Sequence, residues 1–159
     1  MVSVVMKGVA MSTYGLLAAD EDEDAVVDLS EMRDEEAPSS GHNIDLGRLG
    51  EEAAARFLSR CGYDIVARNW KCIAGEADIV ARDGEAVVFV EVKTRTSCEM
   101  GMPSEAVSCA KRDRYERIAA LFLRDYDVVD VPVRFDIVAV LSLGGDRALI
   151  RHHVNAFGA

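Results

Sequence analysis

The chain has 159 residues, half of them hydrophobic, and a formal net charge of −10. That length and apolar content fit one domain with a real core, and the acidic balance at first sight argues against a nucleic-acid partner. Cys61, Cys72, Cys98 and Cys109 form no C-x-x-C pair and the three His have no zinc spacing, so the thiols read as buried or incidental, as in a reducing cytoplasm.

The charge is unevenly spread. Residues 1–45 hold 11 Asp and Glu against two Lys and Arg, while the remaining 114 residues hold 17 against 16. Asp20 to Asp24 is an unbroken acidic run, and Ala37-Pro-Ser-Ser-Gly41 has a linker's composition. Dense like charges repel and favour disorder. We therefore expect residues 1–45 to be an acidic, disordered extension and residues 46–159 to be the folded domain. As a tethered polyanion the extension could compete with DNA for a basic surface, or serve only for solubility. Met1 to Ala19 is mildly apolar, but Ser12-Thr13-Tyr14-Gly15 interrupts it and no small-x-small cleavage site follows. It is too short and too polar to span a bilayer, so we expect a cytoplasmic protein with no membrane partner.

Asp45 to Cys61 has helical spacing in Leu46, Leu49, Ala53 and Phe57, with Gly62 as the stop. Its Glu51 lies slightly nearer the apolar edge than Glu52, which separates the two poorly. Tyr63 to Arg68 alternates as a strand. Asp78 to Lys93 then reads as a hairpin, with Asp83-Gly84 predicting a two-residue type I′ turn between β-branched runs. That turn pairs Arg82 with Glu85, Asp78 with Phe89 and Glu76 with Glu91. Asp78, Glu91 and Lys93 would then share one face, with Asp78 a diagonal step from Glu91. Thr96 to Pro103 is a loop. Ser104 can cap a helix to about Asp125 whose apolar stripe is Val107, Tyr115, Ile118, Ala119 and Phe122, with Lys111 on the same stripe. Arg134 to Leu141 is a strand, Gly144-Gly145 a turn, and Ala148 to Val154 the last strand. The order α-β-β-β-α-β-β predicts an α/β fold.

Two carboxylates and an ammonium on one hairpin face suit metal-assisted phosphodiester hydrolysis. Mg²⁺ or Mn²⁺ takes oxygen ligands, commonly one or two carboxylates plus waters and phosphate oxygens. Asp78 and Glu91 could supply the carboxylates, with the carbonyl of Val92 between Glu91 and Lys93. Lys93 could orient the attacking water or offset charge on the phosphate. A solvent-facing polar stripe gives the same alternation. Against it, Val87 to Val90 and Val92 make the strand apolar on both faces around Glu91, where an idle charge is costly. Lys93, Arg95, Lys111, Arg112, Arg114 and Arg117 make this half locally basic, which suits phosphate contact but also plain solubility. No base-reading element is visible, so recognition would be of backbone or shape.

The chain also resembles a known family. Gly50-Glu51, Gly62-Tyr63, Arg68-Asn69-Trp70, Gly75-Glu76-Ala77-Asp78-Ile79-Val80-Ala81, Phe89-Val90-Glu91-Val92-Lys93-Thr94-Arg95, Glu105-Ala106-Val107, Arg134-Phe135-Asp136 and Asn155-Ala156-Phe157 follow one another as in the YraN family. These proteins belong to the PD-(D/E)xK nuclease superfamily and are similar to archaeal Holliday-junction resolvases. The match runs from about Leu46 to Phe157. It implies a restriction-endonuclease-like core, a central mixed sheet flanked by helices with the site at strand ends. It further implies a Mg²⁺- or Mn²⁺-dependent endonuclease or nuclease-like protein acting on DNA, with branched structures among the substrates. Asp78, Glu91 and Val92 would hold the metal, Lys93 would be catalytic, and the Gly50-Glu51 match selects Glu51 as an accessory acid. Lys111-x-x-x-Tyr115 resembles the Gln-x-x-x-Tyr helix motif of related nucleases, and Lys111, Arg95 and Arg114 would contact nucleic acid. Two departures are Ala77, where a larger aliphatic residue is usual, and the missing Pro before Asp78. The alternative is a non-catalytic nucleic-acid-binding or adaptor protein that keeps the fold. The oligomeric state stays open, a homodimer included.

Overall fold

The computed structural model describes residues 23–29, 42–96, 109–128, 130–144 and 146–156. In chain order these form β1 (Glu23–Asp28), α1 (His42–Arg60), β2 (Asp64–Cys72), β3 (Gly75–Asp83), β4 (Ala86–Arg95), α2 (Cys109–Asp125), β5 (Val133–Gly144) and β6 (Arg147–His153). The strands make one mixed sheet in the order β1-β6-β5-β4-β3-β2. β4 and β5 run parallel and the other pairs are antiparallel. A parallel pair needs a crossover, and α2 lies in the connection that supplies it.

Each face of the sheet carries one helix, because the central strands are apolar on both sides. Val88 and Val90 pack with Ile79, Ala81, Val138, Val140 and Ile150 under Ala54, Phe57 and Leu58 of α1. Val87 and Phe89 pack with Val80 and Ile137 under Tyr115, Ile118, Ala119 and Phe122 of α2. Successive residues of β4 thus serve opposite helices, the period-2 rule applied to a strand covered twice. The α/β architecture with a mixed sheet flanked by helices is the one expected, and it is consistent with a restriction-endonuclease-like fold.

The element order needs one addition at its start. Glu23–Asp28, assigned above to a disordered extension, is an edge strand paired along its length with β6. Ala25 and Val27 pack on the α1-side core while Asp24 and Asp28 are exposed, and Leu29 is buried. Asp24 also makes a two-point ion pair with Arg151, at 2.7 and 2.6 Å. The acidic run masked a short in-out alternation. β2 is also longer than expected, reaching Cys72. Most of the Thr96–Pro103 loop, the Ser104 cap, Val107, Cys98 and Gly145 lie outside the described residues. Of the other cysteines, Cys61 and Cys109 are exposed and Cys72 is half-buried, so burial is not their common feature.

A charged cluster lies inside the α1-side layer. Asp136 and His152 are fully buried. Asp136 Oδ2 lies 2.9 Å from His152 Nε2, and Asp136 Oδ1 accepts from Arg134 Nε and the Asn155 N–H, each at 2.9 Å. Arg134 also donates to Asp83 and to the Tyr63 hydroxyl, both at 2.8 Å. Burial opposes the Asp136 charge, but His152, Arg134 and the Asn155 amide outweigh it and hold the carboxyl below its ordinary range. Burial likewise opposes the Arg134 charge, yet Asp136 and Asp83 raise its pKa. The cluster ties the β3–β4 turn, β5, β6 and the segment after β6 together.

Candidate active site

The β3–β4 hairpin turns one residue later than the sequence pattern predicts. Asp83 pairs with Ala86 and the ladder runs through Arg82–Val87, Ala81–Val88 and Val80–Phe89 to Ile79–Val90. The turn residues are therefore Gly84 and Glu85. Gly84 has φ +58 and Glu85 is not among the positive-φ residues, the pattern of a Gly-first II′ turn rather than I′. Each partner moves by two, an even step, so no side chain changes face. Continued past Ile79–Val90, this register puts Asp78 across from Glu91, not across from Phe89. The ladder stops there, and the Val92 N–H donates instead to Asp78 Oδ2 at 2.8 Å. Val80 and Phe89 belong to the α2 layer, so Asp78, Glu91 and Lys93 open toward α2.

On that side lies a cleft of about 490 Å³ lined by Lys71, Cys72, Gly75, Glu76, Asp78, Glu91, Arg114 and Tyr115. Burial pushes the Asp78 carboxyl up to about 6 against the pull of the Val92 N–H, and the charges of Glu51, Glu91 and Glu76 add to the rise. Two ammonium groups flank Glu91, while its buried Oε2 accepts no well-aligned hydrogen bond. Lys111 Nζ stands 2.6 Å from its Oε2 and Lys93 Nζ 3.8 Å from its Oε1. The Tyr115 hydroxyl also hydrogen-bonds Glu91, and burial with the nearby Glu91 and Asp78 charges raises its pKa. Burial lowers the Lys93 pKa; Glu91 resists this, while Lys111 and Arg95 reinforce it. The Lys111 and Tyr115 contacts put both ends of the Lys-x-x-x-Tyr stretch on Glu91, one helical turn apart. The expected phosphate role for Lys111 did not foresee that its partner would be Glu91. Arg114 stands with its guanidinium 5.6 Å from the Tyr115 ring centre and lines the cleft.

The other face supplies Glu51. α1 lies so close to β4 that a Cβ on Gly50 would collide with the Thr94 side chain. Next to this contact, Glu51 lines a second cleft of about 300 Å³ with Leu46, Gly47, Val92, Thr94, Arg95 and Thr96. Glu52 is committed elsewhere, to Arg56 at 2.9 Å and Arg68 at 2.6 Å, and those hydrogen bonds lower its pKa. This separates two glutamates that the helical wheel could not. Arg95 lines the α1-side cleft, whereas Arg114 lines the α2-side cleft and Lys111 contacts Glu91 there. The three cations grouped by sequence therefore border two different clefts.

Among the described residues no group of three or more His, Cys, Asp and Glu side chains could hold a metal by itself. The donor set is smaller and suits a hard cation that keeps waters: two carboxylates, Asp78 and Glu91, with backbone at Val92 beside them. A desolvated Asp78 flanked by like charges is also what a cation would offset. Mg²⁺ or Mn²⁺ fits these residues.

A two-faced mixed sheet whose fraying hairpin carries Asp, Glu-x-Lys and a helical Lys-x-x-x-Tyr defines a protein of the PD-(D/E)xK nuclease-like class. Residues 50–140 match the model of the uncharacterised protein family UPF0102, and the chain belongs to that family, the YraN group of the resemblance above. A UPF0102 protein of Nocardia farcinica is 50% identical over 112 residues, 70% of this chain and 88% of that one. One from Geobacter sulfurreducens is 45% identical over 118 residues, 74% and 92% of the two chains, and one from Beutenbergia cavernae 48% over 107 residues, 67% and 91%. Their names give the family and no activity. Among the described residues, no helix is long and apolar enough to cross a membrane.

Proposed function

We propose that this chain is a divalent-metal-dependent nuclease that hydrolyses phosphodiester bonds in DNA. The observation that carries this reading is Asp78 and Glu91 lining one open cleft where the β3–β4 ladder ends, with Lys93 3.8 Å from Glu91 on the same strand. A non-catalytic binder gains nothing from half-buried carboxylates aimed at a polyanion.

Asp78 and Glu91 are the residues that would hold Mg²⁺ or Mn²⁺, with Val92 contributing backbone. When bound, such a cation polarises a phosphoryl oxygen and acidifies a bound water. Lys93, with its pKa lowered by burial, is suited to orient the attacking water or neutralise charge developing on the phosphate. Glu51, whose charge already reaches Asp78, is the accessory acid on the α1 side. Lys71 and Arg114 at the α2-side rim can take phosphates without reading bases.

The test is cleavage of linear, flapped and four-way DNA with Mg²⁺ and with Mn²⁺, beside Asp78→Ala and Lys93→Ala. Cleavage should be lost in Asp78→Ala and fall about 10²- to 10⁴-fold in Lys93→Ala. DNA binding without cleavage in any metal would favour the adaptor reading, and equal cleavage by Lys93→Ala would remove that residue's role.

A further inference from the structure

Glu91 carries more positive charge than it needs. Lys111 stands 2.6 Å from Oε2 and Lys93 3.8 Å from Oε1, so two ammonium groups from two elements converge on one carboxylate. All three side chains are mostly buried, at 17% exposure for Glu91, 23% for Lys111 and 30% for Lys93. Like charges held together in a partly desolvated site repel, and the Glu91 carboxylate between them is what offsets that repulsion.

We infer that Lys111 is the exchangeable counter-ion of Glu91: it holds the carboxylate in the metal-free protein and yields it to a divalent cation. The inference rests on the metal-binding reading above and adds the regulation of that site. A cation of the Mg²⁺ type would need a Glu91 carboxylate oxygen, and Lys111 stands 2.6 Å from one of the two. The lysine stem has four rotatable carbons and can swing aside without moving α2. Its neighbour one turn on, Arg114, already lines the cleft, so the released ammonium moves toward where a phosphate would lie. Loading is then an exchange of one cation for another, and its affinity is lowered by the pair that must break.

The sign of the effect separates this from a bracing role. If Lys111 only held Glu91 in place, its removal would weaken metal binding. If it is a counter-ion, its removal strengthens binding. Mn²⁺ is titrated calorimetrically into the full-length wild type, Lys111→Met, Lys111→Arg and Arg114→Met, without nucleic acid. Lys111→Met should bind about tenfold more tightly than wild type, the scale of one charge-assisted contact. Lys111→Arg should stay within about threefold of wild type, and Arg114→Met, which lacks the direct contact, should gain less than Lys111→Met. If Lys111→Met does not fold, Lys111→Gln carries the same comparison. Mn²⁺ binding by wild type with equal or weaker binding by the folded variant overturns the counter-ion role and leaves the metal site standing. No binding by any of the proteins overturns the metal site and the counter-ion role together.

Discussion

The Val92 N–H donates to Asp78 Oδ2 at 2.8 Å at the point where the β3–β4 ladder ends. A half-buried backbone donor that leaves a ladder must find another acceptor. Asp78 supplies it, so the carboxylate is fixed by the same fraying that opens the cleft. The strand end and the site are one feature, and the cost falls on the Asp78 charge.

That cost can be measured. The Asp78 carboxyl titrates at about 6 in the fold against an ordinary 3.8, mainly through burial. The folded state thus holds this proton more tightly. The stability it contributes is complete below about pH 4 and is lost as pH rises through about 6. Asp78→Asn keeps an acceptor for Val92 and carries no charge. Without divalent ions it should melt a few degrees above wild type at pH 7, and the gap should close toward pH 4. Parallel melting profiles from pH 4 to 8 would show that the carboxyl is not held against burial.

Gly50 sets where Glu51 goes. A Cβ there would collide with the Thr94 hydroxyl and carbon atoms, so Gly50→Ala must lift α1 from β4. Overpacking of this kind costs about 1–3 kcal/mol. Thr94→Ala in the same chain should recover part of it, giving a coupling above about 0.5 kcal/mol in a double-mutant cycle by urea unfolding. Additive losses would mean that the two residues are not in contact.

The alternation of β4 and the helical stripes of α1 and α2 were legible in the sequence, because each is a repeated apolar signal along one element. The shared face of Asp78 and Glu91 was legible for the same reason. It survived an error in the turn, since Asp83-Gly84 and Gly84-Glu85 differ by an even register step. Side-chain choices between elements were not legible. Glu51 and Glu52 are separated by Arg68, which comes from β2, and Lys111 reaches Glu91 because α2 packs over the β3–β4 hairpin. Asp136 and His152 gave no sign of their pairing, since residues 16 apart on neighbouring strands leave no local pattern.

The Asp136 cluster should govern acid stability. Its carboxyl is held below the ordinary carboxylate range, so its contribution is present above that range and disappears as pH falls through it. Asp136→Ala leaves Arg134 and His152 without their shared partner. Breaking a buried pair in this way costs about 3–5 kcal/mol. Urea unfolding at pH 7 should show that loss, and at pH 3 the gap to wild type should narrow. A loss at pH 7 below about 1 kcal/mol would mean that the cluster contributes little net stability.

The acidic extension divides at β1. Asp24 and Asp28 sit on an edge strand beyond β6 and β5, and Asp24 is engaged by Arg151, so these acids are built into the sheet away from the hairpin. Deleting residues 1–44 to test competition with DNA would therefore remove a strand, the buried Leu29 and the first residues of α1, and expose the β6 edge. Deleting residues 1–22 leaves that pairing in place. The shorter deletion should melt within about 2 °C of full length, and the longer one clearly below it. Leu29→Ala alone should cost about 2–5 kcal/mol, the range for emptying a core leucine site. If the longer deletion is as stable as the full chain, β1 contributes no net stability. Competition by residues 1–22, which hold Asp20, Glu21 and Asp22 against Lys7, is then read from that deletion: tighter DNA binding at low salt, with the gain fading as salt rises, would assign competing charge to that segment.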